Sequence, residues 1–391
     1  MKEILGISIV LLFLLFGCKE KTSRILEDKI YVVDVNVSDD MKNIGDTGTE
    51  YFIDCQFIQL DTDTNNVIGE VSKIIVTDGR IYILDTFKAQ SVFIFDTTGK
   101  YINKIYRQGK GPGEYLQVTD IFYDEREKTI NLLDSRGKIL IFNKDGNVYK
   151  KEINFRFYAF NFQKDINGNY IFNSKNNPFS SFNDKITVFS STQKKMYSAF
   201  PISEEWKYKS SGIENELIKS GEQIFYIPQL ETDVYKITSD SVQLKYHYNF
   251  GKYNFPDQYK NPKYIFPPHP ISLVNYILEL KLFCETKKYL LAKFLFHGQY
   301  RINIYDKQKR KSYSYNLIDN PLIEPISFGD IIAMNDDFII TMHSANDVFN
   351  MIHNEELQVK YKDGIQKIKN QLSRPLNEDD NPILCIYRLK K

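Results

Sequence analysis

The chain has 391 residues, of which 42% are hydrophobic, and its 51 basic and 50 acidic side chains leave a net charge of +1. This composition supports a sizeable core and excludes a globally basic surface of the kind that binds nucleic acid. The 28 Phe and 27 Tyr residues favour strands over helices.

The first predicted element is an export signal. Lys2 precedes the apolar run ILGISIVLLFLLF (4–16), which is too short to span a bilayer comfortably and fits the core of a secretory signal peptide. Its end, LLFGC (14–18), resembles a bacterial lipobox, and this resemblance implies cleavage after Gly17 and lipidation of Cys18. The alternative is an ordinary signal peptide with an incidental cysteine.

This signal divides the chain into three parts. We predict a lipoprotein signal peptide over 1–17, a lipidated tether over 18–28 and a folded domain over 29–391. The lipid on Cys18 would attach the protein to a membrane, which predicts a cell-envelope lipoprotein of the outer membrane. The tripeptide KEK after Cys18 leaves open whether the protein lies in the periplasmic or the surface leaflet.

A strand and its turn recur along the folded domain, since VFIFDTTGK (92–100) returns as ILIFNKDGN (139–147). The intervals between successive apolar residues before these turns are 47, 47, 48 and 68 residues. A period in the high forties that holds several short strands is typical of a β-propeller blade. The residues that define this period are Phe95, Phe142, Phe189, Ile237 and Tyr305.

The C-terminal region predicts a sixth repeat, because ISFGDIIAM (326–334) and DFIITMHSA (337–345) form a predicted hairpin. A propeller closes its ring and so avoids exposed sheet edges. An N-terminal strand, 29–37 or 51–60, is therefore expected to pair with 383–389. We predict an all-β fold, a six-bladed β-propeller of four-stranded antiparallel blades, closed by its N- and C-terminal strands and carrying short helical insertions.

Three insertions interrupt the repeat, near residues 203–220, 251–280 and 346–375. In the second, ISLVNYILEL (271–280) is predicted to form a short helix. In the third, apolar residues recur at helical spacing at Ile365, Ile368 and Leu372.

Three stretches carry a resemblance to a known family. GKGPGEY (109–115), the run FIQLDTDTNNVIGEVSKIIVTDGRIYILD (57–85) and the ending DDNPILCIYRLKK (379–391) resemble the six-bladed β-propeller lipoproteins of Gram-negative gut bacteria. These are related in shape to NHL-repeat proteins. The resemblance implies a secreted, often lipidated propeller of mostly unassigned function, and it supplies no catalytic residues.

Asp85 and Asp134 are candidate channel-face residues because they end equivalent strands one blade apart. Paired carboxylates there could serve acid/base chemistry or bind a cation. Alternatively, each caps a turn by accepting backbone N–H groups. Arg136 is a third candidate, and Lys110 and Glu114 of the Gly-rich loop could project into a surface groove. That loop is not followed by the helix of a P-loop, so it is interpreted as a stiff crossing between blades.

No cofactor and no metal are predicted. The odd set Cys55, Cys284 and Cys385 has no CxxC pair and lies among apolar neighbours, so these cysteines are expected to be buried and to form neither a disulfide framework nor a zinc site. The short basic run KQKRK (307–311) is interpreted as a solvated turn. No nucleic-acid partner is expected.

Two functional hypotheses follow. The first is a non-catalytic binding module of the cell envelope, whose partner is a glycan, a peptide or an envelope protein. The second is an envelope hydrolase or lyase with its site at the mouth of the propeller channel, which rests on fold analogy alone. A purely structural envelope protein is a weaker third possibility. The absence of a catalytic motif in the sequence favours the first hypothesis.

Overall fold

The computed structural model describes residues 25, 26, 30–38, 40–177, 182–210, 217–266 and 272–391. The predicted signal peptide and Cys18 lie outside the described residues. Among the helices of this described part, none is long and apolar enough to cross a membrane.

The described part of the chain opens with three strands and two short helical segments. In order these are β1 (Ile25–Leu26), β2 (Tyr31–Asp34), α1 (Ile44–Thr47), a 3₁₀ turn (Gly48–Glu50) and β3 (Phe52–Gln59).

The remaining strands and β3 form six four-stranded antiparallel sheets, the blades of a propeller, and β1 and β2 add to blade four. Blade one contains β4 (Lys73–Thr77), β5 (Arg80–Asp85), β6 (Ser91–Asp96) and β7 (Tyr101–Ile105). Blade two contains β8 (Val118–Asp124), β9 (Thr129–Asp134), β10 (Lys138–Asn143) and β11 (Tyr149–Asn154). Blade three contains β12 (Asn161–Lys164), β13 (Tyr170–Asn173), β14 (Asp184–Phe189) and β15 (Lys195–Pro201).

The other three blades follow the same plan. Blade four contains β16 (Ile218–Ser220), β17 (Gln223–Tyr226), β18 (Asp233–Ile237) and β19 (Val242–Asn249). Blade five contains β20 (Leu280–Glu285), β21 (Tyr289–Phe296), β22 (Gln299–Asp306) and β23 (Lys311–Asn316). Blade six contains β24 (Asp330–Met334), β25 (Phe338–His343), β26 (Ile383–Leu389) and β3. The predicted fold class is confirmed.

Strand direction defines two faces of the disc. The front face carries the turns between second and third strands and the crossings between blades. The back face carries the turns between first and second strands and between third and fourth strands. The first strand of each blade therefore starts at the front, and the second strand ends there.

The core lies between neighbouring blades, because strands are apolar on both sides where another blade covers them. Tyr82 and Leu84 of blade one pack against Ile121 and Tyr123 of blade two. The rings of Tyr82 and Tyr123 stack with centroids 5.3 Å apart. Second strands such as β9 are consequently buried along their whole length. This burial on both sides explains why their sequences are mainly apolar and do not alternate.

The repeat found in the sequence marks one position in the blades. Each of its five residues is the last or next-to-last residue of a third strand: Phe95, Phe142, Phe189, Ile237 and Tyr305. The long fourth interval arises from the crossing between blades four and five, over residues 250–279.

The ring closes where β26 pairs with β3 in antiparallel register, from Ile383 opposite Gln59 to Leu389 opposite Phe52. Of the two N-terminal strands considered, 51–60 is the one that completes blade six. The other, 29–37, contributes β2, which pairs in parallel with β19 at the outer edge of blade four.

Helices occupy the segment between β25 and β26, where α3 (Ala345–His353), α4 (Glu355–Lys360) and α5 (Lys362–Gln371) follow one another. Ile365 and Ile368 are buried on one side of α5, as their spacing indicated. The crossing between blades four and five holds the short helix α2 (Pro262–Ile265) and 3₁₀ turns at Gly251–Tyr253, Asp257–Tyr259 and Leu273–Asn275.

The helix predicted over 271–280 is wrong. After the 3₁₀ turn at Leu273–Asn275 the chain is extended, because the backbone N–H of Ile277 donates to the carbonyl of Tyr253 at 2.7 Å, and β20 starts at Leu280. A tertiary hydrogen bond thus outweighs a weak helical pattern. The cysteine prediction is confirmed in that Cys55, Cys284 and Cys385 are free and buried.

Candidate functional site

A groove of about 680 Å³ opens on the front face across blades one to three. Ser72 and Lys73 of blade one, Thr119 of blade two and Asn161 of blade three line it where the innermost strands begin. Since these strands surround the central channel, the groove lies at the channel mouth. Its walls come from turns and crossings of several blades.

A buried carboxylate joins the strands beneath the groove. Asp120 in β8 is 1% exposed, and its Oδ1 accepts from Lys73 Nζ at 2.6 Å. Its Oδ2 accepts from the backbone N–H of Phe162 at 2.9 Å. One side chain thereby ties the innermost strands of blades one, two and three, and it fixes the lysine that lines the groove.

Three aromatic rings border the groove. Phe87, in the turn between β5 and β6, is 70% exposed, and Tyr208, in the crossing between blades three and four, is 68% exposed. Phe160 lies just before β12, with Lys175 Nζ 5.4 Å from its ring centroid. Exposed rings that border one groove present apolar surface that a ligand could cover.

Asn176 holds two walls together. Its Nδ2 donates to the carbonyl of Lys209 at 3.0 Å and to Gln229 Oε1 at 2.7 Å, while its carbonyl accepts from the N–H of Tyr208 at 3.1 Å. The Oδ1 of Asn176 is buried and has no hydrogen-bond partner within the described structure. An unsatisfied acceptor at a groove wall is unfavourable unless a donor reaches it.

A second cavity of about 510 Å³ continues from the groove toward the crossing between blades four and five. The two share Lys209 and Ser210, and the second is further lined by Asn261 and Phe266. The two cavities therefore adjoin at Lys209 and Ser210.

Asp85 does not line the groove, although it ends β5 on the front face. It is fully buried, and its carboxylate accepts four backbone N–H groups. Oδ2 accepts from Gly69 and Glu70, both at 2.9 Å, and Oδ1 from Lys88 at 2.8 Å and Ala89 at 3.0 Å. Every bond is to a backbone N–H, two from the crossing before β4 and two from the turn after β5, which supports the capping interpretation.

Asp134 is equally buried and also caps backbone. Its oxygens accept from the N–H of Leu116 at 2.7 Å and of Arg136 at 2.9 Å, and from the Arg136 guanidinium at 3.0 Å. Burial alone would raise the pKa of Asp134, but the hydrogen bonds from Arg136 and Leu116 hold that pKa below its ordinary value. The structure brings Asp134 and Arg136 together, and neither lines the groove.

The Gly-rich loop crosses from blade one to blade two. Lys110 is exposed and lies outside the lining of the groove. Glu114 folds back on its own loop, with Oε2 accepting from the N–H of Gly111 at 2.7 Å. Gly113 adopts a φ of +70°, which a side chain would strain. These contacts stiffen the crossing.

The described lining of the groove is rich in amide, hydroxyl and lysine side chains. Among its described lining residues Glu70 is the one carboxylate, whereas glycosidases use two facing carboxyl groups. The histidine with an acidic partner, His247 with Nδ1 2.6 Å from Asp233 Oδ1, lies on the outer strands of blade four. No cluster of metal-binding side chains occurs among the residues described.

Sequence reasoning missed the groove because its residues come from separate blades and share no motif. Asp120 offered the only usable signal, an acidic residue inside an apolar first strand. Phe87, Phe160 and Tyr208 could not be told from core aromatics without the fold.

Comparisons with known proteins give one family match and several structures of similar fold. The family described as "Domain of unknown function (DUF4934)" matches residues 24–388. A protein described as a "putative exported protein" from Bacteroides fragilis NCTC 9343 is similar with a TM-score of 0.70 and 18% identity, over 92% of this chain and 100% of its own. This similarity supports the fold.

A member of the duf4221 family from Bacteroides vulgatus ATCC 8482 aligns with a TM-score of 0.45 and 9% identity, over 87% of this chain and 97% of its own. No curated protein matches the chain.

Proposed function

The chain belongs to the DUF4934 family, and from this premise we propose that it is an exported, lipid-anchored propeller that binds a glycan in the groove without catalysis. The observation that carries the proposal is the groove itself, in which two largely exposed rings, Phe87 and Tyr208, accompany amide, hydroxyl and lysine side chains in the lining.

This lining matches the chemistry of a sugar. A pyranose presents an apolar C–H face that packs on an aromatic ring, and its hydroxyls both donate and accept hydrogen bonds. The amide of Gln117, which is exposed and lines the groove, can do the same.

A peptide fits this groove less well. Extended peptides are usually held by main-chain hydrogen bonds to an open strand edge. The groove is lined mainly by side chains of turns and crossings. We therefore favour a glycan over a peptide or an envelope protein as the ligand of the groove.

Export and anchoring rest on the N-terminal sequence. The lipobox-like LLFGC (14–18) supports lipidation of Cys18. The description of the B. fragilis protein as exported agrees with a location outside the cytoplasm. Replacing Cys18 by Ser should move the protein from the membrane fraction to the soluble fraction, and an unchanged distribution would rule out the anchor.

The groove is tested by titrating the protein with a panel of oligosaccharides and following heat or intrinsic fluorescence. For a glycan that binds, the double variant Phe87→Ala/Tyr208→Ala should lower affinity about tenfold or more, because each stacked ring contributes about 1 kcal/mol. Tyr106→Ala is the control, since Tyr106 is 57% exposed but lies outside the groove. Equal loss in the control, or binding of peptides alone, would contradict the proposal.

A further inference from the structure

The direction of the N-terminal strands shows from which face the tether reaches the propeller. β2 pairs in parallel with β19, with Tyr31 opposite Tyr246 and Asp34 opposite Asn249. β19 is a fourth strand, so it runs from the back face to the front. β2 consequently runs the same way, and the chain before Tyr31 comes from the back.

β1 continues this path toward the back face. Ile25 lies opposite Val242, the first residue of β19, which directly follows the turn at the back of blade four. Six residues, 19–24, separate Ile25 from Cys18, and the seven steps between these two residues span at most about 24 Å when fully extended. A lipid on Cys18 would therefore hold the back face close to the bilayer.

The back face of blade five has the charge that such a position favours. Its two turns and the first residue of β23 carry six basic side chains, of which four are exposed. Of the acidic neighbours, Glu285 and Asp306 are largely buried, and Asp336 is exposed beside Lys287 and Lys307. The basic residues, named here the blade-five basic patch, are Lys287, Lys288, Lys307, Lys309, Arg310 and Lys311. Blade five directly adjoins the blade whose edge receives the tether.

We infer that the back face is a membrane-contacting surface, in which the blade-five basic patch lies against anionic phospholipid headgroups, and that the groove on the front face opens away from the bilayer. This inference rests on the anchor of the proposed function. It gives the basic run at 307–311 a role beyond solvation, because clustered Lys and Arg next to a lipid anchor strengthen adsorption to anionic lipid.

The test compares the distances of the two faces from the bilayer. Glu222→Cys places a thiol on the back face and Glu378→Cys one on the front face, and both positions are exposed. The native Cys55, Cys284 and Cys385 are buried and should not react with a fluorophore. Full-length lipidated protein is purified from membranes, labelled and reconstituted into phosphatidylglycerol-containing vesicles with an acceptor dye on the headgroups.

Energy transfer to the headgroup dye should be about twofold or more higher from residue 222 than from residue 378. Transfer that is equal, or higher from residue 378, overturns the inference. A failed glycan titration leaves this comparison unchanged, so the two proposals fail separately.

A second measurement isolates the contribution of charge. Reversing Lys287, Lys309 and Arg310 to Glu should reduce transfer from residue 222, and raising the salt concentration should do the same. The matched control reverses three exposed lysines of the α4–α5 region, which is inserted at the front of blade six. These are Lys360, Lys362 and Lys367. Equal effects of the two triple variants would overturn the role of the patch.

Discussion

The buried carboxylate of Asp85 accepts a hydrogen bond from the backbone N–H of Glu70 at 2.9 Å, and Glu70 lines the groove. The same carboxylate holds Lys88 and Ala89, which follow Phe87 in the opposite wall. A residue that never meets a ligand thus sets the distance between two groove walls.

Asp85→Ala should lower the free energy of unfolding by about 3 kcal/mol, because four backbone N–H groups lose a charged acceptor. It should also weaken glycan binding, since Glu70 and Phe87 lose their common support. Denaturant unfolding and ligand titration measure the two effects.

The matched control for Asp85 is Asp124→Ala on the back face. Asp124 also caps a turn, accepting from the N–H groups of Arg126 and Glu127 and from Lys164. This variant should lose stability yet bind as the wild type does. Loss of binding in both variants would mean that affinity follows stability alone, and the positioning role of Asp85 would be wrong.

The fold could be predicted from the sequence because each blade repeats the same local pattern. Phe95 and Phe142 mark equivalent strand ends because both sit before a turn that returns every 47 residues. The sequence allows two roles for Asp85 and Asp134, a turn cap or a channel-face carboxylate, since an aspartate at a strand end suits either role. The four N–H contacts of Asp85 distinguish the cap from the channel-face carboxylate.

The groove could not be predicted for the opposite reason. Phe87 and Tyr208 lie in segments that differ from blade to blade, so no period connects them. The parallel pairing of β2 with β19 was equally hidden, because an alternating strand pattern at 29–37 fits either sheet. Which sheet edge a strand joins depends on long-range packing, and the local sequence pattern does not encode that packing.

The ion pair between Lys73 and Asp120 predicts a large coupling energy. Asp120→Asn should cost about 3 kcal/mol of unfolding free energy, because removing the charge of one buried partner leaves the other uncompensated. Lys73→Met should cost at least as much, since it leaves the buried carboxylate of Asp120 without its charged partner, whereas Asp120→Asn leaves a lysine that is partly solvated. In a double-mutant cycle the two should couple by more than about 1 kcal/mol.

The surface pair Arg80–Asp145, at 2.8 Å, is the comparison for this cycle. Its side chains are 21% and 31% exposed, so its coupling should be about 0.5 kcal/mol. Equal coupling in the two cycles would show that Asp120 does not tie the three inner strands as described.

Because His343 is buried, we expect the protein to lose stability in acid. Burial lowers the pKa of His343 to about 4, although the charge of Asp347 and the backbone of Phe328 act in the opposite direction. Between pH 6.5 and 4 the unfolded chain binds a proton that the folded protein excludes, so stability is complete above pH 6.5 and falls as the pH decreases. The loss should approach about 3 kcal/mol near pH 4.

Urea unfolding across this pH range, with wild type and His343→Gln compared, measures that loss. The variant should lack the part of the slope that belongs to His343, while His353→Gln, at an exposed histidine, serves as the control. Parallel curves for wild type and His343→Gln would contradict the prediction.

Because β26 closes the ring, we expect the domain to need this last strand in order to fold. β26 lies between β25 and β3, so deleting residues 383–391 would leave both neighbours with unpaired edges. It would also remove Tyr387, whose buried hydroxyl accepts from Asn320 Nδ2 at 2.7 Å and donates to the carbonyl of Phe328 at 3.3 Å.

This truncated chain should be expressed as aggregate or lack a cooperative thermal transition, because open strand edges pair between molecules. Deleting Lys391 alone removes one exposed ion pair with Asp337 and should leave the melting temperature unchanged within about a degree. Circular dichroism and size-exclusion chromatography distinguish the two. If the nine-residue truncation remained a monomer with a sharp transition, the pairing of β26 with β3 would not be what holds the ring closed.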